Sequence, residues 1–161
     1  MPTTALSVLA LILAANSAPV LTRLLLGNCC RHPLDAGRRL ADGHPLFGPS
    51  KTHAGLLSAL LASTVLAAGL GMGWRLGLLV GAGAMLGDLF SSFITRRQGL
   101  PASAQALGLD QIPESLFPLL ACAPLLELAW TQVAAITLAF LVLELLLSRL
   151  AFWMGIRRHP Y

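Results

Sequence analysis

Five apolar stretches divide this sequence, at residues 4–26, 54–73, 76–95, 113–130 and 131–155. Each comes close to the roughly 20 residues that a helix needs to cross a bilayer. Lipid offers the backbone no hydrogen-bond partner, so a spanning segment must pair its own N–H and C=O groups, as a helix does. Charge supports the same conclusion. Only 11% of the residues are charged and 56% are hydrophobic, against about 25% and 45–50% in soluble domains. A soluble enzyme, a disordered regulator and a disulfide-stapled secreted domain are thereby excluded. The expected fold is all-α, a polytopic membrane helix bundle with about five transmembrane helices in one domain, residues 1–161.

The first stretch has the small residues of a signal-peptide cleavage region in AANSAP, but no Lys or Arg precedes Arg23. The basic n-region is missing, so the stretch reads as a helix. Pro19 lies within it and is expected to kink it. Residues 27–53 hold three of the four histidines and the run PLDAGRRLADGHPLFGPSKT. Its Gly and Pro residues predict an ordered loop of turns. Residues 96–112 form a second polar loop. In the third stretch, the pairs Gly77/Gly81 and Gly83/Gly87 have the small-xxx-small spacing that lets helices approach closely. These glycine faces also suit a homodimer.

Basic residues set the expected topology. With five spans and the N-terminus outside, both long loops and the C-terminal tail are cytoplasmic. Arg23, Arg31, Arg38, Arg39, Lys51, Arg96, Arg97, Arg149, Arg157 and Arg158 then lie on or near that side, and Arg75 alone lies outside. The net charge of +4 is thus a loop signature, and no nucleic-acid partner is expected.

The aspartates fall on the same side. Asp35 and Asp42 are in the first loop, Asp110 is in the second, and Asp88 is within the third span. Asp88 lies roughly 10 Å inside the helix end at 1.5 Å per residue. An acid at that depth costs a few kcal/mol and faces the bundle or a wet cavity. Ser91, Ser92, Thr95 and Arg96 follow along nearly the same helix face. Carboxylates bind a hard cation such as Mg²⁺, and Arg or Lys binds phosphate oxygens. The face therefore suits a polyphosphate and its metal at headgroup depth. Glu144 is also within a span and reads as a structural or oligomer contact, and Glu127 as interfacial. His32, His44 and His53 make no ligand pattern. Cys29, Cys30 and Cys122 show no CxxC spacing. The first two are candidates for acylation beside the membrane, though plain thiols fit as well.

Two segments carry a resemblance: PLDAGRRLADGHPLFGPSKTHAG (Pro33–Gly55) and GDLFSSFITRRQGLPASAQALGLDQ (Gly87–Gln111). Together they resemble the CDP-archaeol synthase family, which comprises membrane cytidylyltransferases. ANSAPVL near the start and FWMGIRRHPY at the end are similar to that family's ends. GDLFSSFITRR is more loosely similar to the phosphatidate cytidylyltransferase signature. The resemblance implies Mg²⁺-dependent transfer of CMP from CTP to a lipid phosphate, giving a CDP-activated lipid and pyrophosphate. It places metal ligands at Asp88 and Asp110 and a catalytic cation at Lys51. It matches Asp35, Asp42, Thr52, Arg96 and Arg97 to the family's motif positions; with Ser91 and Ser92 from the helix face beside Asp88, these are the expected substrate-binding residues. Two positions depart from the family pattern. Thr95 stands where Lys is common, and His53–Ala54 replaces a more usual Trp-Arg. Lys51 is the single lysine in the chain.

Two other classes fit parts of this pattern. A CDP-alcohol phosphotransferase would share Asp42–Gly43, but the D-x-x-x-D that should follow is missing. A small transporter or channel subunit would explain Asp88 and Glu144 but not the loop carboxylates or Lys51–Thr52.

Overall fold

The computed structural model describes residues 2–27, 32–100 and 109–155. Cys29, Cys30, Arg31, Arg157 and Arg158 lie outside the described residues, as do residues 101–108 of the second polar loop. Among the described residues five helices follow one another: α1 (Pro2–Leu26), α2 (His53–Gly69), α3 (Trp74–Arg97), α4 (Gln111–Leu126) and α5 (Trp130–Trp153). Among the described residues there is no strand, only two isolated bridges in the first loop.

Three helices, α1, α3 and α5, are long and apolar enough to cross a membrane. The other two are shorter, 17 residues in α2 and 16 in α4. Local chemistry sets their ends. The apolar run 54–73 stops being helical at Gly69 because the chain turns at Gly71 and Gly73, both with positive φ. The run 113–130 starts two residues earlier, at Gln111, and ends where Glu127 adopts a left-handed conformation. Pro19 stays inside a continuous α1, where it packs against the start of α2 beside Gly55.

Leucines face outward all round the bundle, with Leu25 83% and Leu125 67% exposed. In water such a surface would be an aggregation hazard, whereas in lipid it is the expected exterior. The core is small and mixed. Val8, Leu11 and Ile12 of α1 meet Val80 of α3, Leu119 and Cys122 of α4, and Ile136 and Phe140 of α5.

The α3 glycines decide the packing. Methyl groups added at Gly77 or Gly81 would collide with Ser63 and its neighbours on α2. One added at Gly83 would come within 2.6 Å of Pro118 Cα on α4, and one at Gly87 would meet the Pro113 carbonyl. The two small-xxx-small pairs thus serve two different neighbours within the same chain. Both faces are occupied internally, which removes the support they offered for a homodimer.

Candidate active site

The close seam of α3 and α4 has a chemical result. Asp88 follows Gly87, and Glu114 follows Pro113. Where those backbones touch, the Glu114 carboxyl comes into hydrogen-bond contact with Asp88. Glu114 is almost fully buried, in the first turn of α4. Asp110 precedes that turn and is close enough to act electrostatically on both Lys51 and Arg96.

The first loop covers this seam and is organised by its own carboxylates. Asp35 accepts hydrogen bonds from the backbone N–H groups of Gly37 at 3.0 Å, Phe47 at 3.0 Å and Gly48 at 2.9 Å. Its burial works against ionisation. The N–H groups of Gly48, Phe47 and Gly37 outweigh that and hold its pKa below the usual 3.8. Asp42 accepts from the His44 N–H at 3.0 Å and pairs with Arg97. The His44 N–H, followed by Arg97, lowers its pKa as well. Arg97 also donates to the carbonyl of His44 at 3.2 Å and to that of Pro45, and it lies over the Phe93 ring. Arg97 therefore fastens the 39–45 turn to the end of α3.

The same loop delivers Lys51. A bridge between Pro33 and Thr52 closes the loop's base. Thr52 then caps α2, its Oγ1 accepting from the Gly55 N–H at 3.1 Å. Lys51, one residue before the cap, reaches inward and forms an ion pair with Asp88. The two side chains are 21% and 17% exposed, so solvent screens them little. Burial alone would lower the Lys51 pKa, but the carboxylates of Asp88 and then Glu114 raise it above 10.5.

The structure thus gathers Lys51, Asp88, Asp110 and Arg96, and it adds Glu114. Arg96 is buried, donates to the Leu100 carbonyl at 2.6 Å, and leaves its Nε without a hydrogen-bond partner. Ser91 donates to the Asp88 carbonyl at 3.0 Å, and Thr95 donates to the Ser91 carbonyl at 2.7 Å. Both hydroxyls serve the helix backbone, and Ser92 is buried on the same helix. Asp35, Asp42, Thr52 and Arg97 are engaged in holding the loop. Glu114 went unremarked in the sequence, although its i, i+4 spacing from Asp110 was a usable signal.

Mg²⁺ asks for hard oxygen ligands. Among the described residues no group of three or more His, Cys, Asp or Glu side chains is arranged to hold a metal. Mg²⁺ seldom needs such a cage, because one or two carboxylates plus substrate phosphates and water suffice. Two carboxyl groups brought to hydrogen-bond contact, as Asp88 and Glu114 are, fit that requirement.

The model for CarS-like proteins, CDP-archaeol synthase, matches residues 2–161. The chain belongs to this family. CarS-like relatives include the CDP-archaeol synthase of Hyperthermus butylicus, 43% identical over 116 residues. That match covers 66% of this chain and 65% of the relative, just under two thirds of the relative's own length. The CDP-archaeol synthase of Sulfurisphaera tokodaii is 34% identical over 135 residues, 80% of this chain and 81% of the relative. A solved intramembrane enzyme for archaeal membrane lipids biosynthesis superposes with a TM-score of 0.74 at 29% identity. It covers 88% of this chain and 90% of its own. The CarS-like fold is thus a helix bundle set in a membrane.

Proposed function

We propose that this protein transfers CMP from CTP to a lipid phosphate, forming a CDP-activated lipid and releasing pyrophosphate. The observation that carries this reading is the Lys51–Asp88 ion pair beside Glu114, inside the bundle and under an ordered loop. The relatives' name, CDP-archaeol synthase, favours an isoprenoid-ether lipid phosphate as acceptor. The distribution of Arg and Lys favours a site opening on the cytoplasmic side.

The chemistry demands little beyond positioning and charge. An oxygen of the lipid phosphate attacks the α-phosphorus of CTP. One P–O bond forms, the bond to the β-phosphate oxygen breaks, and the electron pair leaves with pyrophosphate. The nucleophile is already anionic, so no strong general base is required. Lys51 and Arg96 offset the phosphate charges. Asp88 and Glu114, with Asp110 close by, would hold Mg²⁺, which when bound neutralises phosphate oxygens. Asp35 keeps the loop in the shape that aims Lys51, and Arg97 keeps the loop against α3. The loop also excludes water, which would otherwise compete as nucleophile.

The test is turnover by detergent-purified protein given labelled CTP, Mg²⁺ and either phosphatidate or an isoprenoid-ether phosphate. Labelled CDP-lipid is expected from wild type with metal, and not from Asp88→Asn or after chelation. No product from any lipid, together with no Mg²⁺-dependent CTP binding, overturns the reading.

A further inference from the structure

We infer that the cleft between α1 and α5 is the port through which the lipid phosphate reaches the carboxylate cluster. The inference rests on the proposed lipid-phosphate chemistry and adds the place where the lipid sits. The cleft has a volume of about 240 Å³, and its walls are mostly apolar, with Leu13 and Phe140 among the lining residues. Asn16, Ser17, Glu144 and Ser148 interrupt those walls with polar groups.

Three features point to a lipid. First, the polar interruption matches the cluster in depth. Asn16, Asp88 and Glu144 each lie nine or ten residues before the loop-side end of their helices, roughly 14 Å along the axis. Second, the cleft lies close to the cluster. Glu144 lines it, and the Glu144 charge acts directly on Glu114, which in turn touches Asp88. Third, the cleft is bounded by two membrane-crossing helices whose other faces are exposed leucine. Its mouth therefore opens to hydrocarbon, where a lipid already resides.

The chemistry sorts itself along this path. Leu13, Leu21 and Leu147 suit the chains. Asn16, Ser17 and Ser148 can hydrogen-bond oxygens of the glycerol region. The anionic phosphate belongs further in, with the cations Lys51 and Arg96.

Filling the cleft tests this. Leu147→Trp puts an indole into it. Leu138→Trp adds the same bulk on the outward face of α5, where Leu138 is 64% exposed. Ser17→Leu narrows the facing wall and replaces the first variant if the indole prevents folding. Binding of dioleoyl phosphatidate and of an isoprenoid-ether phosphate is read in mixed micelles by thermal shift, and turnover is read with CTP. Filling the cleft is expected to weaken lipid binding and raise the lipid KM about tenfold or more, with the CTP KM unchanged. Leu138→Trp is expected to behave as wild type. Equal lipid binding by wild type and the filled-cleft variant overturns the port, whatever the turnover. Lipid binding lost on filling, with no CTP turnover in wild type, supports the port and overturns cytidylyl transfer instead.

Discussion

Lys51 and Asp88 stand 37 positions apart in sequence and are ion-paired in the fold. One belongs to a polar loop, the other to the interior of α3. The pair therefore ties the placement of the loop to the state of the buried carboxylates. Glu114 completes the arrangement from a third element.

Glu114→Gln keeps a hydrogen-bonding group beside Asp88 but removes a charge. Half-saturation by Mg²⁺ in a CTP-binding titration is expected to rise about tenfold or more, with little change in melting temperature. An unchanged Mg²⁺ titration would remove Glu114 from the metal site.

Gly87→Ala sets a methyl group against the Pro113 carbonyl and the Glu114 N–H. Both are backbone atoms and cannot swing away. The variant is expected to lose about 1–3 kcal/mol of stability and most of its turnover, because α4 carries Glu114 with it. Gly69→Ala is the matched control: nothing lies within 4 Å of the added methyl. It should melt at or slightly above the wild-type temperature.

Asp35 gives the loop a pH dependence of known sign. Its carboxylate has a pKa below 3.8 in the folded protein. Its contribution is complete above that value and is lost as pH falls through the lower, folded one. Hydrogen-exchange protection of the Phe47 and Gly48 amides should therefore hold from neutrality down to about pH 4 and then fall. An Asn side chain offers one acceptor oxygen instead of two. Asp35→Asn should cut that protection about tenfold or more, even at neutral pH. Unchanged protection in the variant would remove Asp35 as the loop's organiser.

Arg96 and Arg97 are adjacent but face different tasks. Each keeps a buried Nε without a partner, but Arg97 is committed to Asp42 and to the carbonyls of His44 and Pro45, whereas Arg96 is buried near Asp110 and donates to the Leu100 carbonyl. Arg96→Ala is expected to lower kcat/KM for CTP about 100-fold. Arg97→Ala should act mainly on KM and by less than about tenfold. The reverse order would exchange their roles.

Much of this was legible in the sequence. The apolar runs gave the helices to within a few residues, because in lipid the backbone has few alternatives. The glycine pairs announced close helix approach, though not which helix would approach. Lys51, Asp88, Arg96 and Asp110 stand out in the sequence by residue type and depth, and the fold brings Lys51 to Asp88 and Asp110 near Lys51 and Arg96. The roles of Asp35 and Asp42 were harder to read. A carboxylate that binds substrate and one that accepts its own loop's N–H groups look alike in one dimension. The following residues were the available clue, since Asp-Ala-Gly and Asp-Gly-His both favour a local turn in which the side chain accepts from the backbone two positions on. Glu114 was missed for a different reason. Its helix was expected to start at 113, which set it at the rim of a span, whereas the seam with α3 draws it into the middle of the site.

Along α3, Gly77 and Gly81 meet α2, while Gly83 and Gly87 meet α4. Lys51 enters the site from the base of α2 and Glu114 from the base of α4. One helix thus acts as the ruler from which both distances are measured. The alignment of cation and carboxylate is gauged by the absence of a single carbon atom at each mark. Drift is affordable on the outward leucine surface, where one oily side chain replaces another, and nowhere along that edge.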